Sequence, residues 1–268
     1  INYKKLETLV RIAVRFLDHG VSASRYPLPQ ISKMAMANRR IGLGVMGLAD
    51  LLYQLKIGYN TEAGIKLGEK VMKVVTQAAV DESKKLAREK GVFTNWPGSE
   101  YQKKGIKRRN LAVTTIAPTG TISMVADCSS GIEPVFALSY IKNVIDENGL
   151  AYVNPYFKQA VEATNLSPEQ KNEIYQKVAK TGSCQNIEYL SDTIKKVFIT
   201  AHDISPEWHI KMQAGIQKYT ENAVSKTINF PEQAGIDDVE KAYLSAWELG
   251  CKGITIYRSG SKDAQILS

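Results

Sequence analysis

Apolar positions near the start of the chain recur with a helical period. Leu6, Leu9, Val10, Ala13, Val14 and Leu17 share one face and predict an amphipathic helix over residues 3–18. Pro27 and Pro29 interrupt it, and a short helix follows over 30–38. Ile41-Gly42-Leu43-Gly44-Val45-Met46-Gly47 reads as closely packed backbone entering a helix over 48–55. Its Gly-x-Gly lacks the preceding strand and downstream acid of a dinucleotide fingerprint, so the glycines are assigned to packing. Met34, Met36 and Met46 read as core filler. A long helix over 61–90 starts at Asn60 or Thr61 and stops at Gly91.

The period then changes. Residues 109–116 predict a strand, with its apolar run at 111–116. Residues 135–145 and 150–153 predict a hairpin across Glu147-Asn148-Gly149. Helices follow over 155–164, 168–180, 191–200 and 206–219. Strands at 223–230 and 253–257 flank a helix at 236–249, which makes a parallel βαβ unit. No repeat or low-complexity linker divides the chain. It reads as a single α/β unit over 1–268, mainly helical over 1–110 and mixed over 111–268.

Candidate chemistry sits where the strand ends. After Ile116 and Ala117, Pro118-Thr119-Gly120-Thr121-Ile122-Ser123 places hydroxyls and one glycine at a handover to a helix or tight loop. Gly120 allows an anion to approach the backbone. Thr119, Thr121 and Ser123 offer hydroxyl donors, and a helix start adds free N–H groups and a favourable dipole. The same composition also suits a Thr/Ser-rich turn without a ligand.

Charge and composition change this picture little. Of 268 residues, 44% are hydrophobic and 23% charged, as in ordinary soluble domains. No long uncharged apolar run, signal peptide or lipidation motif occurs, so no membrane partner is expected. The formal charge of +8 suits an anionic ligand without demanding nucleic acid. The densest basic run, residues 103–109, lacks interleaved aromatics and reads as a solvated loop rather than a specific nucleic-acid patch. Cys128, Cys184 and Cys251 are far apart and match no metal or disulfide spacing; a reducing, cytoplasmic setting follows, with each cysteine a small buried hydrophobe. His19, His202 and His209 form no metal motif, and the neighbours His202 and Asp203 point apart. A phosphotransferase is disfavoured, since no Gly-x-x-x-x-Gly-Lys-[Ser/Thr] loop exists.

Several segments in order resemble one family. They are Asn38–Asp50 (NRRIGLGVMGLAD), Ala117–Ser123 (APTGTIS), Cys128–Pro134 (CSSGIEP), His209–Ala214 (HIKMQA), Ser225–Asn229 (SKTIN) and Lys252–Ser261 (KGITIYRSGS). Together they resemble the catalytic subunit of ribonucleotide reductase over essentially the whole chain. The resemblance implies the C-terminal half of a ten-stranded α/β barrel, with parallel βαβ units and surrounding helices. It also implies an oxidoreductase that reduces ribonucleotides by thiyl-radical chemistry for DNA synthesis. Pro118, Thr119, Gly120, Thr121, Ile122 and Ser123 correspond to the family's substrate-phosphate loop. Glu133 and Tyr257 are candidates for the active-site wall; a structural turn with Glu133 on backbone N–H groups is the other reading of Glu133. Ser225, Lys226 and Thr227 offer a further phosphate or cofactor contact, or else a surface lysine before a strand.

Radical-importing reductases usually carry a Tyr-Tyr pair where this chain has Tyr257-Arg258. The wording resembles the adenosylcobalamin-dependent class, although no Asp-x-His-x-x-Gly motif is present. The family's catalytic cysteine, with its Asn and Glu, and its reducing cysteines map outside this chain. The resemblance therefore implies no catalytic residue and no metal ligand here. It implies a fragment inactive alone that needs an N-terminal part carrying the cysteines and a thiol reductant such as thioredoxin. A non-catalytic nucleotide-binding fragment and a piece of a radical-importing reductase are the alternatives.

Overall fold

The computed structural model describes residues 1–142 and 150–261. They divide into two compact units. The first comprises Ile1–Val45, Gly68–Ala117 and Ile216–Val224, and the second Met46–Leu67, Pro118–Gly215 and the described residues from Ser225 onward.

The first unit is built from α1 (Tyr3–Ala23), α2 (Pro29–Asn38), most of α4 (Glu62–Lys90) and α5 (Glu100–Lys103). The Asn2 side chain caps α1 by accepting from the Lys5 N–H. Nothing breaks the helix before Ser24, so it runs past the expected end at 18. Val10 and Val14 are buried, whereas Leu9, Ile12 and Phe16 are exposed. α2 buries none of its residues, which overturns the core role expected of Met34 and Met36; both are exposed.

Between these helices the predicted strand over 109–116 is extended but forms no ladder. It makes two single parallel bridges, Leu43 with Thr114 and Ile116 with Val224. The reason lies in its first half. The amides of Arg109, Asn110 and Leu111 donate to Ser83 O, Ser83 Oγ and Asn38 O, so helix groups take the hydrogen bonds a neighbouring strand would need. The basic run before it is only partly solvated. Lys103, Lys104 and Lys107 are exposed, but Arg108 is buried and donates to both Glu221 oxygens at 2.5 and 2.8 Å.

The second unit contains α3 (Leu48–Gln54), α6 (Gly120–Val125), β1 (Ser139–Lys142), β2 (Leu150–Val153), α7 (Pro155–Glu162), α8 (Pro168–Thr181), α9 (Asp192–Val197), most of α10 (Pro206–Gln217), β3 (Thr227–Phe230), α11 (Ile236–Glu248) and β4 (Thr255–Arg258). β1 and β2 pair antiparallel with Ser139 opposite Val153, as the hairpin reading required; its turn at Glu147-Asn148-Gly149 lies outside the described residues. α7 and α8 each carry Pro at the first turn behind a capping side chain, Asn154 and Ser167. Phe157, Val161, Ile174, Val178 and Leu138 pack with Tyr53 and Phe198 into one core. The helix expected over 191–200 ends at Val197 and gives way to a 3-10 turn, Ala201–Asp203, fixed by Asp203 accepting from Thr200 N and Oγ1.

β3, α11 and β4 form the predicted βαβ unit. The strands are parallel, with Asn229 opposite Tyr257. Ala242 and Ala246 of α11 cover Ile228 and Phe230 of β3. β3 is shorter than the 223–230 expected, because the chain before Thr227 is committed to the side chains described next.

Candidate functional site

Pro118 ends the extended segment, and the residue after it adopts a conformation that threonine rarely takes. Thr119 has φ 57° and ψ 24°, left-handed backbone that a β-branched residue enters only at a cost of about 1–3 kcal/mol. This turn launches α6. No side chain caps α6, and its first closed hydrogen bond is Ser123 N–H to Thr119 O at 2.9 Å. The N–H groups of Gly120, Thr121 and Ile122 therefore lie outside the helical ladder. A Cβ at Gly120 would meet nothing within 4 Å, so the backbone there is open to an approaching group. Thr121 is exposed, and so is Ile122.

The three hydroxyls anticipated as donors divide into two kinds. Thr119 Oγ1 accepts from Gly131 N–H at 2.7 Å. Ser123 is 2% exposed and its Oγ meets Gly120 O at 3.1 Å and Ser130 Oγ at 2.8 Å. Both face into the protein and shape the loop. Of the three, Thr121 alone is exposed, beside the amides outside the helical ladder.

The frame behind the loop is the turn over residues 129–133. Glu133 N–H donates to Ser130 O, and Gly131 takes φ 46°. Asp50 of α3 accepts from Ser129 N–H at 2.6 Å, and Gly47 N–H donates to Ser129 O at 2.7 Å. Glu133 itself does not point at open space. Its Oε2 lies 2.5 Å from Lys226 Nζ and its Oε1 accepts from Thr227 N–H at 2.7 Å. Glu133 thus bonds a backbone N–H, as the structural-turn reading required, and adds an ion pair.

Lys226 was the residue the sequence misled on. Its side chain is 0% exposed, not a surface group. It also donates to Thr227 O. Burial holds its amine below the usual lysine range, against the opposing pull of Glu133. Burial, helped by the charge of Lys226, likewise holds the neighbouring His209 imidazole down at about 3, so it is neutral and bonded to Ala201 O at 3.1 Å. The only sequence signal for this pair was the glutamate in a tight Gly-Ile-Glu-Pro turn, which needs a cation if buried.

Tyr257 is half-buried on β4, and the following Arg258 donates to Glu232 O at 2.7 Å. His202 and Asp203 diverge, His202 against the Phe136 ring and Asp203 onto Thr200 and Ser183. Of the cysteines, Cys184 is buried with its thiol pushed up to about 12 by burial, while Cys128 and Cys251 are only half-buried. Among the described residues no group of three or more His, Cys, Asp or Glu could hold a metal ion, and no helix is long and apolar enough to cross a membrane.

The parallel βαβ unit, with helices around it and a loop framed by the Glu133–Lys226 ion pair, makes this an α/β protein. The family model for the ribonucleotide reductase barrel domain matches residues 1–257, and the chain belongs to that family. It is 45% identical, over its full length and 34% of the relative, to a Thermoplasma acidophilum protein called vitamin B12-dependent ribonucleoside-diphosphate reductase. A Mycobacterium tuberculosis protein of the same name is 41% identical over the full chain and 38% of its own length. The chain thus spans about a third of the length of these curated relatives. Among solved structures, the class Id ribonucleotide reductase alpha subunit of Actinobacillus ureae superposes with a TM-score of 0.77 at 26% identity, covering 95% of this chain and 46% of that one.

Proposed function

We propose that this chain supplies the substrate-phosphate loop of a ribonucleotide reductase, in which thiyl-radical chemistry is performed by cysteines on another stretch of polypeptide. The observation that carries the reading is the uncapped start of α6: left-handed Thr119, open Gly120, exposed Thr121 and three amides outside the helical ladder. Pro118 precedes these donors, and Ile122 supplies the last of the three amides. Hydrogen bonds to an anion contribute about 1.5–3 kcal/mol each, so two or three amides and the Thr121 hydroxyl would hold a diphosphate. Anchoring the phosphates fixes the ribose, and hydrogen abstraction from a sugar carbon loses rate steeply when the sugar is displaced.

The names of the relatives support a ribonucleoside diphosphate as substrate and a B12-dependent class. Arg258 after Tyr257 supports the same class, because a radical imported from a partner subunit would need a second tyrosine there. Adenosylcobalamin, when bound, would generate the radical within the protein. The described residues of this chain do not by themselves fit a cobalt site. His209 is buried on Ala201 O, His202 lies edge-on to Phe136 and His19 is engaged with Lys90. The role left to this chain is to bind and orient substrate, with Tyr257 as a wall residue and Glu133 behind the wall, bonded to Lys226 and Thr227. A thiol reductant such as thioredoxin, the cysteine-bearing N-terminal part and a cytoplasmic setting complete the proposal, and the chain alone is expected to be inactive.

The test is Thr121→Val in the intact protein, read by calorimetric titration with a ribonucleoside diphosphate and with the bare nucleoside. Loss of one anion-directed hydrogen bond should weaken the diphosphate on the order of tenfold and leave the nucleoside unaffected. Equal diphosphate affinity in variant and parent would refute the loop assignment.

A further inference from the structure

Lys226 and Glu133 carry a role beyond contact with substrate, and the role follows from a chain of short links in the second unit. At one end Glu133 is bound twice to the start of β3, through Lys226 Nζ at 2.5 Å and Thr227 N–H at 2.7 Å. Three residues earlier, Ser130 O accepts from Glu133 N–H at 2.9 Å and closes the turn. From that turn two bonds reach the loop: Gly131 N–H to Thr119 Oγ1 at 2.7 Å and Ser130 Oγ with Ser123 Oγ at 2.8 Å. The two inward hydroxyls of the loop are therefore held by the turn, and the turn is held by the ion pair.

An ion pair with a fully buried lysine is weak evidence for stability, because desolvation of the amine offsets much of the attraction. Its use is geometric. No other cation is shown bonded to Glu133 among the described residues: His209 is uncharged, and Tyr59 places its hydroxyl on Ile132 O at 2.6 Å. Thr119 is in turn held in left-handed backbone, a conformation that persists only where its surroundings over-determine it.

We propose that Glu133 and Lys226 are positioning residues: their ion pair, in which the lysine is fully buried and the glutamate half-buried, locks the 129–133 turn onto β3 and thereby holds Thr119 and Ser123 so that the α6 amides face the substrate phosphates. The proposal rests on the phosphate-loop reading and adds residues that never touch the anion.

The experiment uses the intact protein with Glu133→Gln, Lys226→Met, the double variant and Thr121→Val, titrated with a ribonucleoside diphosphate and with the bare nucleoside. Glu133→Gln and Lys226→Met should each weaken the diphosphate about tenfold while leaving the nucleoside within twofold. The double variant should be no worse than the weaker single, because both changes break one link. Amide exchange at Gly131 should rise in both singles. If both bind diphosphate like the parent while Thr121→Val does not, the positioning role is wrong and the loop reading stands. If Thr121→Val is also silent, the loop reading itself has failed. Equal losses for diphosphate and nucleoside, with a falling melting temperature, would make the pair merely structural and overturn the proposal. Glu133→Gln is nearly isosteric, so it carries the test should Lys226→Met not fold.

Discussion

Gly44 shows how much a single residue can fix. A Cβ there would lie 2.3 Å from the carbonyl oxygen of Thr115, which is backbone and cannot swing away. Gly44→Ala should destabilise the protein by about 3 kcal/mol through overpacking, read as a lowered urea midpoint; an unchanged midpoint would mean that the strand-like segment is not seated against residues 42–44. The sequence disclosed this, because a Gly-x-Gly without its fingerprint partners leaves close packing as its function. It disclosed the phosphate loop only in part. Pro118 and Gly120 announced a special turn, but no pattern says which of three neighbouring hydroxyl residues stays exposed. That division depends on Gly131 and Ser130, partners brought in by tertiary folding. Lys226 was illegible for the same reason: a lysine is ordinarily exposed, and its counter-charge lies 93 residues away in sequence.

At the scale of elements, the knot that joins α1, α2 and the residue 109–111 segment carries the clearest prediction. Asp18 is 1% exposed and accepts from Arg39 Nε at 2.8 Å and from Asn110 Nδ2 at 2.9 Å. Burial pushes its carboxyl up, but the hydrogen bond and charge of Arg39, with Asn110 and Arg109, outweigh burial and hold it below the usual carboxylate range. A carboxylate depressed in the folded state contributes stability above its unfolded value, near pH 4, and loses it as pH falls towards the folded value. Asp18→Asn should therefore cost about 3 kcal/mol at neutral pH by leaving Arg39 buried without its counter-charge. It should also flatten the loss of stability below pH 4, measured as urea midpoints from pH 7 to 3. Parallel pH profiles for variant and parent would sink this assignment. Helices were read well because their caps and prolines are local, as Ser167 and Pro168 of α8 illustrate. Extended segments were read less well. Whether residues 109–111 join a ladder depends on Ser83 and Asn38, and no period in the sequence reports that competition.

At the scale of the whole molecule, each unit presents apolar surface that it does not cover. In the first, Ile12 is 60% and Phe16 74% exposed on α1. In the second, Ile236 is 86%, Tyr243 53%, Leu244 52% and Trp247 77% exposed on α11, whose opposite face already packs on β3. Isolated apolar side chains are ordinary on a surface, but a stripe along one helix face is not. β3 and β4 form a two-stranded sheet among the described residues, and unpaired strand edges add a second route to association. Residues 1–268 produced alone should therefore self-associate, with a sedimentation coefficient that rises with concentration. Phe16→Lys together with Trp247→Lys should shift the same preparation towards monomer, because each replaces the most exposed aromatic side chain of its stripe with a charge. If the parent sediments as a monomer at every concentration, the stripes are tolerated by water. If it associates and the double variant associates equally, the strand edges rather than the helix faces drive the contact, and charges on β4 become the discriminating change.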